Sequence, residues 1–136
     1  DHFKRINDEH GHDAGDRVLR LVADSLSRIS DERCHVARYG GEEFVLLFRG
    51  LTVAESFAKL DALRAQLAER RLVNRANDTP FGQITFSGGI ADVFICGDPR
   101  SALKAADAAL YRAKLDGRNR VLLADASDMA ATQLAA

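Results

Sequence analysis

The sequence has little of what marks an extracellular, membrane or nucleic-acid-binding chain. Its 136 residues hold two cysteines, Cys34 and Cys96. That is too few for a disulfide framework, and no Cys-x-x-Cys spacing suggests zinc, so both are read as reduced thiols. Neither charge sign dominates: 19 lysines and arginines stand against 20 aspartates and glutamates, a formal net charge of −1. There is no global positive field to hold a nucleic-acid polymer by counterion release, and any anionic ligand has to be gripped locally. Long apolar runs are absent too. The longest is Phe44 to Phe48, far short of a bilayer span, and no basic-then-apolar leader opens the chain. No membrane segment is expected, and the cytoplasm is the expected location.

What is present is an ordinary globular balance, 46% hydrophobic and 29% charged residues, suited to one core. Asp1 to Gly15 is polar and punctuated by Asn7-Asp8, Gly11 and Gly15, and reads as a loop with at most one helical turn. From Asp13 or Asp16 to Ile29, Val18, Leu19, Val22, Leu26 and Ile29 recur at helical spacing. Cys34 to Arg38 and Glu42 to Phe48 flank Gly40-Gly41, which predicts a tight β-hairpin. Thr52 to Leu72 carries Val53, Phe57, Leu60, Leu63 and Leu67 on one stripe, with Glu55, Lys59 and Arg64 off it. Asn74 to Gly82 reads as a loop, and Gln83 to Phe94 as a strand interrupted by Gly88-Gly89. Asp98-Pro99 is an N-cap with a first-turn proline, opening a third helix whose expected face is Leu103, Ala106, Leu110 and Ala113. Gly117 is its expected stop, Arg120 to Leu123 a last strand, and Asp125 to Ala136 a loose or weakly helical tail. The predicted class is α+β, an antiparallel or mixed sheet with covering helices. Such a sheet needs a central strand, and nothing before the first helix reads as one.

Three clusters carry possible chemistry, each open to two readings. In Arg38-Tyr39-Gly40-Gly41-Glu42-Glu43-Phe44 the glycines clear space for a ligand and the carboxylates suit a hard cation, or this is a turn with solvated glutamates. In the opening stretch, Asn7 donates and accepts while Asp16 only accepts, a pair able to read a guanine edge, or a turn former and a helix N-terminal acid. His10 and His12 are assigned no metal. Lys114 and Arg118, four positions apart, can converge on a phosphate chain, or answer the helix dipole.

Taken together, the clusters resemble the GGDEF-family diguanylate cyclase domain, with the glutamate variant of the signature at Gly40 to Phe44. Asp1-His2-Phe3-Lys4, Asn7-Asp8, Gly11-His12, Gly15-Asp16, Thr85 to Gly89 and Tyr111 to Asn119 match in order, over about residues 1 to 123. The resemblance implies a nucleotidyl-cyclase or ferredoxin-like core, with the domain at 1–124 and a flexible tail at 125–136. It implies condensation of two GTP into cyclic di-GMP and pyrophosphate by a homodimer, under an upstream sensory domain. By the family pattern Glu42 is the Mg²⁺ or Mn²⁺ ligand and Glu43 supports it. Asn7 and Asp16 read guanine and His12 lines the nucleotide. Lys4, Lys114, Arg118 and the backbone around His2 and Phe3 meet the phosphates, while Gly40 and Gly41 leave room. Asp1 matches the second aspartate of the family's Asp-x-Asp, so the first, the other metal carboxylate, and the central strand are expected to lie outside this sequence. The product-inhibition element Arg-x-x-Asp is replaced by Asp31 and Cys34, with Arg33 out of register, so little such inhibition is expected. The alternative is a non-catalytic module that binds GTP, responds to cyclic di-GMP, or serves dimerisation.

Overall fold

The computed structural model describes residues 1–29, 33–74 and 79–129. The α+β class holds, and the chain divides into two compact units, Asp1–Leu51 with Ala65–Ile84, and Thr52–Arg64 with the residues from Thr85 onward. Strands pair as three two-stranded ladders among the described residues, rather than as the single sheet expected. No described strand precedes the first helix to join them.

In the first unit, Phe3–His10 forms helix α1 and His12–Arg28 helix α2, separated by Gly11 at φ 89°. Most of the expected opening loop is therefore helical. Asn7 and Asp8 are weak helix formers, but burial decides: Ile6 packs with Ala14, Val18 and Ile84, and Val22 and Leu72 lie against them. The second helix matches its predicted stripe. Cys34–Arg38 (β1) pairs antiparallel with Phe44–Phe48 (β2), in the register Cys34 to Phe48 and Arg38 to Phe44. The connection runs from Tyr39 to Glu43 and is closed by the Tyr39 N–H donating to the Glu43 carbonyl at 2.8 Å. Neither Gly40 nor Gly41 has a positive φ, so this is a wider loop than the tight two-residue turn that Gly-Gly predicts. Val53–Glu69 is helix α3, which contributes residues to both units. Its first turn is held by a reciprocal pair: Thr52 Oγ1 accepts from the Glu55 N–H, and Glu55 Oε1 from the Thr52 N–H. Leu72–Asn74 (β3) pairs antiparallel with Thr79–Gly82 (β4), where a loop was expected. The Arg17 guanidinium ties α2 to this ladder through the Val73 carbonyl at 3.1 Å.

In the second unit, Gly88–Ile90 (β5) runs parallel to Val121–Leu123 (β6). The strand predicted from Gln83 to Phe94 is confined to the two glycines expected to interrupt it and Ile90, with residues 83–87 in no strand. Asp92 accepts a hydrogen bond from the Phe94 N–H and caps a single turn, Val93–Cys96 (α4), which leaves Phe94 and Ile95 exposed. Helix α5, Pro99–Leu115, begins as expected, with Asp98 accepting from the Ser101 N–H. Its buried face is Ala102, Ala105, Ala109 and Ala113, while Leu103 is exposed. The reason is close approach: a Cβ at Gly89 would overlap the Ala106 carbonyl and lie 2.6 Å from the Leu110 nitrogen. Only small residues allow a helix to run that near a strand backbone.

Gly117, at φ 117°, ends α5 as predicted, and the Arg118 N–H returns to the Ala113 carbonyl at 2.9 Å. After β6, residues 126–129 make one helical turn. The Arg112 guanidinium forks onto the nearly inaccessible Asp128 at 3.1 and 2.7 Å and also reaches the Leu123 carbonyl. Asp125 Oδ1 caps this turn by accepting from the Ser127 hydroxyl and from the backbone N–H groups of Ser127 and Asp128. The expected inhibitory-site residue Asp31 and the tail beyond Met129 lie outside the described residues. No helix among the described residues is long and apolar enough to cross a membrane.

Candidate functional site

The opening cluster is built by the α1–α2 pair. His2 sits before α1 in the left-handed region, at φ 56°, and is exposed. Such a conformation is costly for a residue with a side chain. Because the helix starts at Phe3, the first-turn N–H groups of Phe3 and Lys4 are helix N-terminal donors, and the Lys4 side chain is exposed beside them. That is an arrangement suited to anions. Of the two residues whose backbone was expected to meet phosphates, Phe3 is the first residue of the helix and His2 precedes it.

Asn7 lies one turn further along α1. Its Oδ1 is buried, and among the described residues it has no hydrogen-bond partner. It rests against Gly15, where a Cβ would overlap it. An unpaired buried carbonyl is costly, and native structures rarely keep one without a use. His12 and Asp16 are exposed on the first turns of α2. His10, in contrast, has a side chain only 7% exposed.

Gly40, Gly41, Glu42 and Glu43 share the exposed hairpin loop. Arg38 fixes its path, donating from Nε to the Gly40 carbonyl at 3.1 Å and from Nη2 to the Gly41 carbonyl at 2.6 Å. A Cβ at Gly41 would meet no described atom within 4 Å, and one at Gly40 would make only ordinary contact with Glu43. Neither backbone conformation nor internal packing therefore requires these glycines, so the space they leave faces outward. A groove of about 540 Å³ between α2 and the hairpin is lined by Asp16, Leu19, Arg20, Val36, Arg38 and Phe44. It brings Asp16 and the arginine that shapes the signature loop to one surface.

Lys114 and Arg118 belong to the second unit. Lys114 is in the last turn of α5, but Arg118 lies past the helix end in the left-handed region, at φ 64°. The helical four-residue spacing therefore does not govern how they converge. Arg64 of α3, expected on a solvated face, is instead half-buried beneath this loop. Its Nη1 donates to Asn119 Oδ1 at 2.9 Å, and its Nε to Asp61 Oδ1 at 2.7 Å. Arg64 was not singled out as a contributor because its partner Asn119 is distant in sequence, and Arg38 and Gly15, though inside the motifs, received no role because one acts on backbone carbonyls and the other has no side chain.

Among the described residues, no three histidine, cysteine, aspartate or glutamate side chains gather to hold a metal ion. Glu42 offers one exposed carboxylate. That suits Mg²⁺, which is commonly held by one or two carboxylates and completed by substrate phosphates rather than by an all-protein cage.

A family model described as "Diguanylate cyclase, GGDEF domain" matches residues 1–120. The diguanylate cyclase VdcA of Vibrio cholerae is 36% identical over 124 residues, covering 90% of this chain and 36% of that protein. The diguanylate cyclase DgcP of Pseudomonas aeruginosa is 39% identical over 124 residues, covering 91% of this chain and 18% of that protein. The chain thus spans about a third or less of these relatives. Among solved structures, the GGDEF domain of DgcB from Caulobacter crescentus, in complex with c-di-GMP, aligns with a TM-score of 0.85 at 38% identity, covering 93% of this chain and 72% of that one. The active GGEEF domain of a diguanylate cyclase from Vibrio cholerae aligns at 0.77 and 31% identity, covering 92% of this chain and 78% of that one. With the GGEEF signature on an exposed loop and a family match running over most of its length, the chain belongs to the GGDEF family of diguanylate cyclase domains.

Proposed function

We propose that this chain is a catalytic diguanylate cyclase domain, joining two GTP molecules into cyclic di-GMP with release of two pyrophosphates. The observation that carries the reading is the buried Asn7 Oδ1, which has no hydrogen-bond partner among the described residues. Guanine presents N–H donors to such an acceptor, and Asp16, exposed on the neighbouring helix, accepts only. Adenine lacks guanine's adjacent N1–H and N2 amino donors and presents a bare N1 instead, so its single amino group leaves an acceptor unpaired, at about 1 to 3 kcal/mol.

The remaining roles follow the chemistry of each group. The first-turn N–H groups of α1 and Lys4 meet the phosphates, as do Lys114 and Arg118. His12 lines the nucleotide, and Gly40 and Gly41 clear its path beside the loop that Arg38 fixes. Glu42 holds Mg²⁺ or Mn²⁺, with Glu43 in support. Held there, the cation would supply neutralisation of phosphate charge and help in activating the attacking hydroxyl. Each 3′-hydroxyl attacks the other nucleotide's α-phosphorus, which requires two nucleotides face to face and hence a homodimer. The greater length of the relatives supports control by a further, sensory domain.

The test is calorimetric titration with GTP and with ATP, followed by chromatographic assay of cyclic di-GMP. Preference for GTP by about tenfold or more is expected. Equal affinities would overturn the guanine assignment, and GTP binding without product would favour a binding module.

A further inference from the structure

We infer that Gly15 is a positioning residue for nucleobase selection, acting through Asn7; the inference rests on the guanine-reading proposal above. Gly15 is buried in the first turn of α2. Its φ is not positive, so the backbone there is open to any residue, and alanine is the better helix former. Nothing in the local conformation asks for glycine. Gly11, four residues earlier, is the contrast: it sits at φ 89° with open space around it, and its backbone is what needs the glycine.

What Gly15 provides is room. A Cβ there would overlap Asn7 Oδ1, stand 2.7 Å from Asn7 Cγ and 3.2 Å from the Phe3 ring. The first two atoms belong to the amide that offers the unpartnered acceptor. No hydrogen bond within the described residues holds that oxygen in place, so packing must. The floor of the packing is the bare α2 backbone at position 15. Any side chain there forces the amide to swing away, or α1 to lift from the Ile6, Ala14 and Val18 contact that joins it to α2. The amide swing is the smaller response, a side-chain rotation, and it moves the acceptor while leaving the α1 N–H groups and Lys4 that meet the phosphates in place. Gly15 therefore fixes which base is read, and contributes less to whether a triphosphate binds.

The experiment is a double-variant cycle of Asn7→Ala, Gly15→Ala and both together, read by calorimetry with GTP and with ATP and by thermal unfolding. Asn7→Ala should lower the GTP-to-ATP affinity ratio about tenfold. Gly15→Ala should lower it to within about threefold of the same value, and the double variant should lower it no further. The stability effect of Gly15→Ala should change sign between the two backgrounds. With Asn7 present, Gly15→Ala lowers the melting midpoint by about 3 °C or more. In the Asn7→Ala background it raises the midpoint, because the two overlapping amide atoms are gone and the Phe3 ring, at 3.2 Å, has to give by only a few tenths of an ångström. If Asn7→Ala leaves the ratio unchanged, the guanine reading itself is overturned. If Asn7→Ala lowers it while folded Gly15→Ala keeps it, the reading stands and the Gly15 inference is overturned. Should Gly15→Ala alone fail to fold, a double variant melting above Asn7→Ala supports the inference, and equal destabilisation in both backgrounds overturns it.

Discussion

Arg64→Met should loosen the loop that carries Arg118 while leaving α3 in place. Arg118 and Asn119 both occupy the left-handed region, at φ 64° and 48°, where residues with side chains are disfavoured. Arg64 spans the gap. Its 2.9 Å bond to Asn119 Oδ1 is charge-assisted and comes from a side chain only 19% exposed, so its loss costs about 1.5 to 3 kcal/mol. The 3.4 Å contact to the Asn119 carbonyl is at the geometric limit and adds little. The pair with Asp61, itself 38% exposed, contributes about 0.2 to 1 kcal/mol after solvent screening. Methionine preserves most of the volume, so the loss is close to 2 kcal/mol, a fall in melting midpoint on the order of 5 °C. Asp61→Asn should cost under about 1 kcal/mol. Circular dichroism melts test the stability difference, and GTP calorimetry tests whether affinity falls with the loop's order. An unchanged midpoint in Arg64→Met, or an equal loss in Asp61→Asn, would refute the assignment of the loop's stability to the Asn119 contact.

In the full-length protein, Glu42→Gln should leave the melt unchanged and reduce cyclic di-GMP formation by about 10² to 10³; product at the unmodified rate in a chromatographic assay would remove Glu42 from the metal site. Gly89→Ala should destabilise by roughly 3 kcal/mol, since all its close contacts are backbone, whereas Gly41→Ala should stay within about 0.5 kcal/mol. Urea midpoints that do not separate the two would contradict the close packing of α5 on β5. Hydrogen bonds from the Ser101 backbone and hydroxyl hold the Asp98 carboxyl below the usual carboxylate range. A depressed folded value means the cap contributes fully above about pH 4 and is lost as the pH falls through that value. Asp98→Ala should flatten this part of the acid-unfolding curve, and an unaltered curve would count against the cap.

The long helices were legible because their apolar stripes repeat over several turns, and α5 also announced its start through Asp98-Pro99. Helix α1 was not. It has one deeply buried apolar side chain, Ile6, and its Asn7-Asp8 pair reads locally as a turn until α2 supplies the surface that buries it. The face of α5 was misplaced for a related reason. Reading by hydrophobic size selects Leu103, whereas the distance to the Gly89 backbone selects the alanines. The β3–β4 ladder hid in a polar stretch containing Pro80 and Gly82. At the site, Glu42 and Asn7 could be picked out because their chemistry is in their own side chains. Arg64 could not, since its partner Asn119 is 55 positions away, and Gly15 has no side chain to suggest its relation to Asn7.

The fork of Arg112 onto Asp128 bears on where this piece of protein can be cut. The family model's match stops at residue 120, yet β6 and the turn that Arg112 grips lie after it. A truncation placed at the limit of similarity would strip Gly88–Ile90 of its parallel partner and remove the carboxylates of Asp125 and Asp128 from the Arg112 guanidinium. Arg112 is on the same helix as Lys114, two positions before it, so damage at that edge would reach a residue proposed to touch substrate. For engineering by fusion or domain exchange, a junction has to leave Asp125 and Asp128 in place, because one made earlier would fail through α5 rather than through the signature loop.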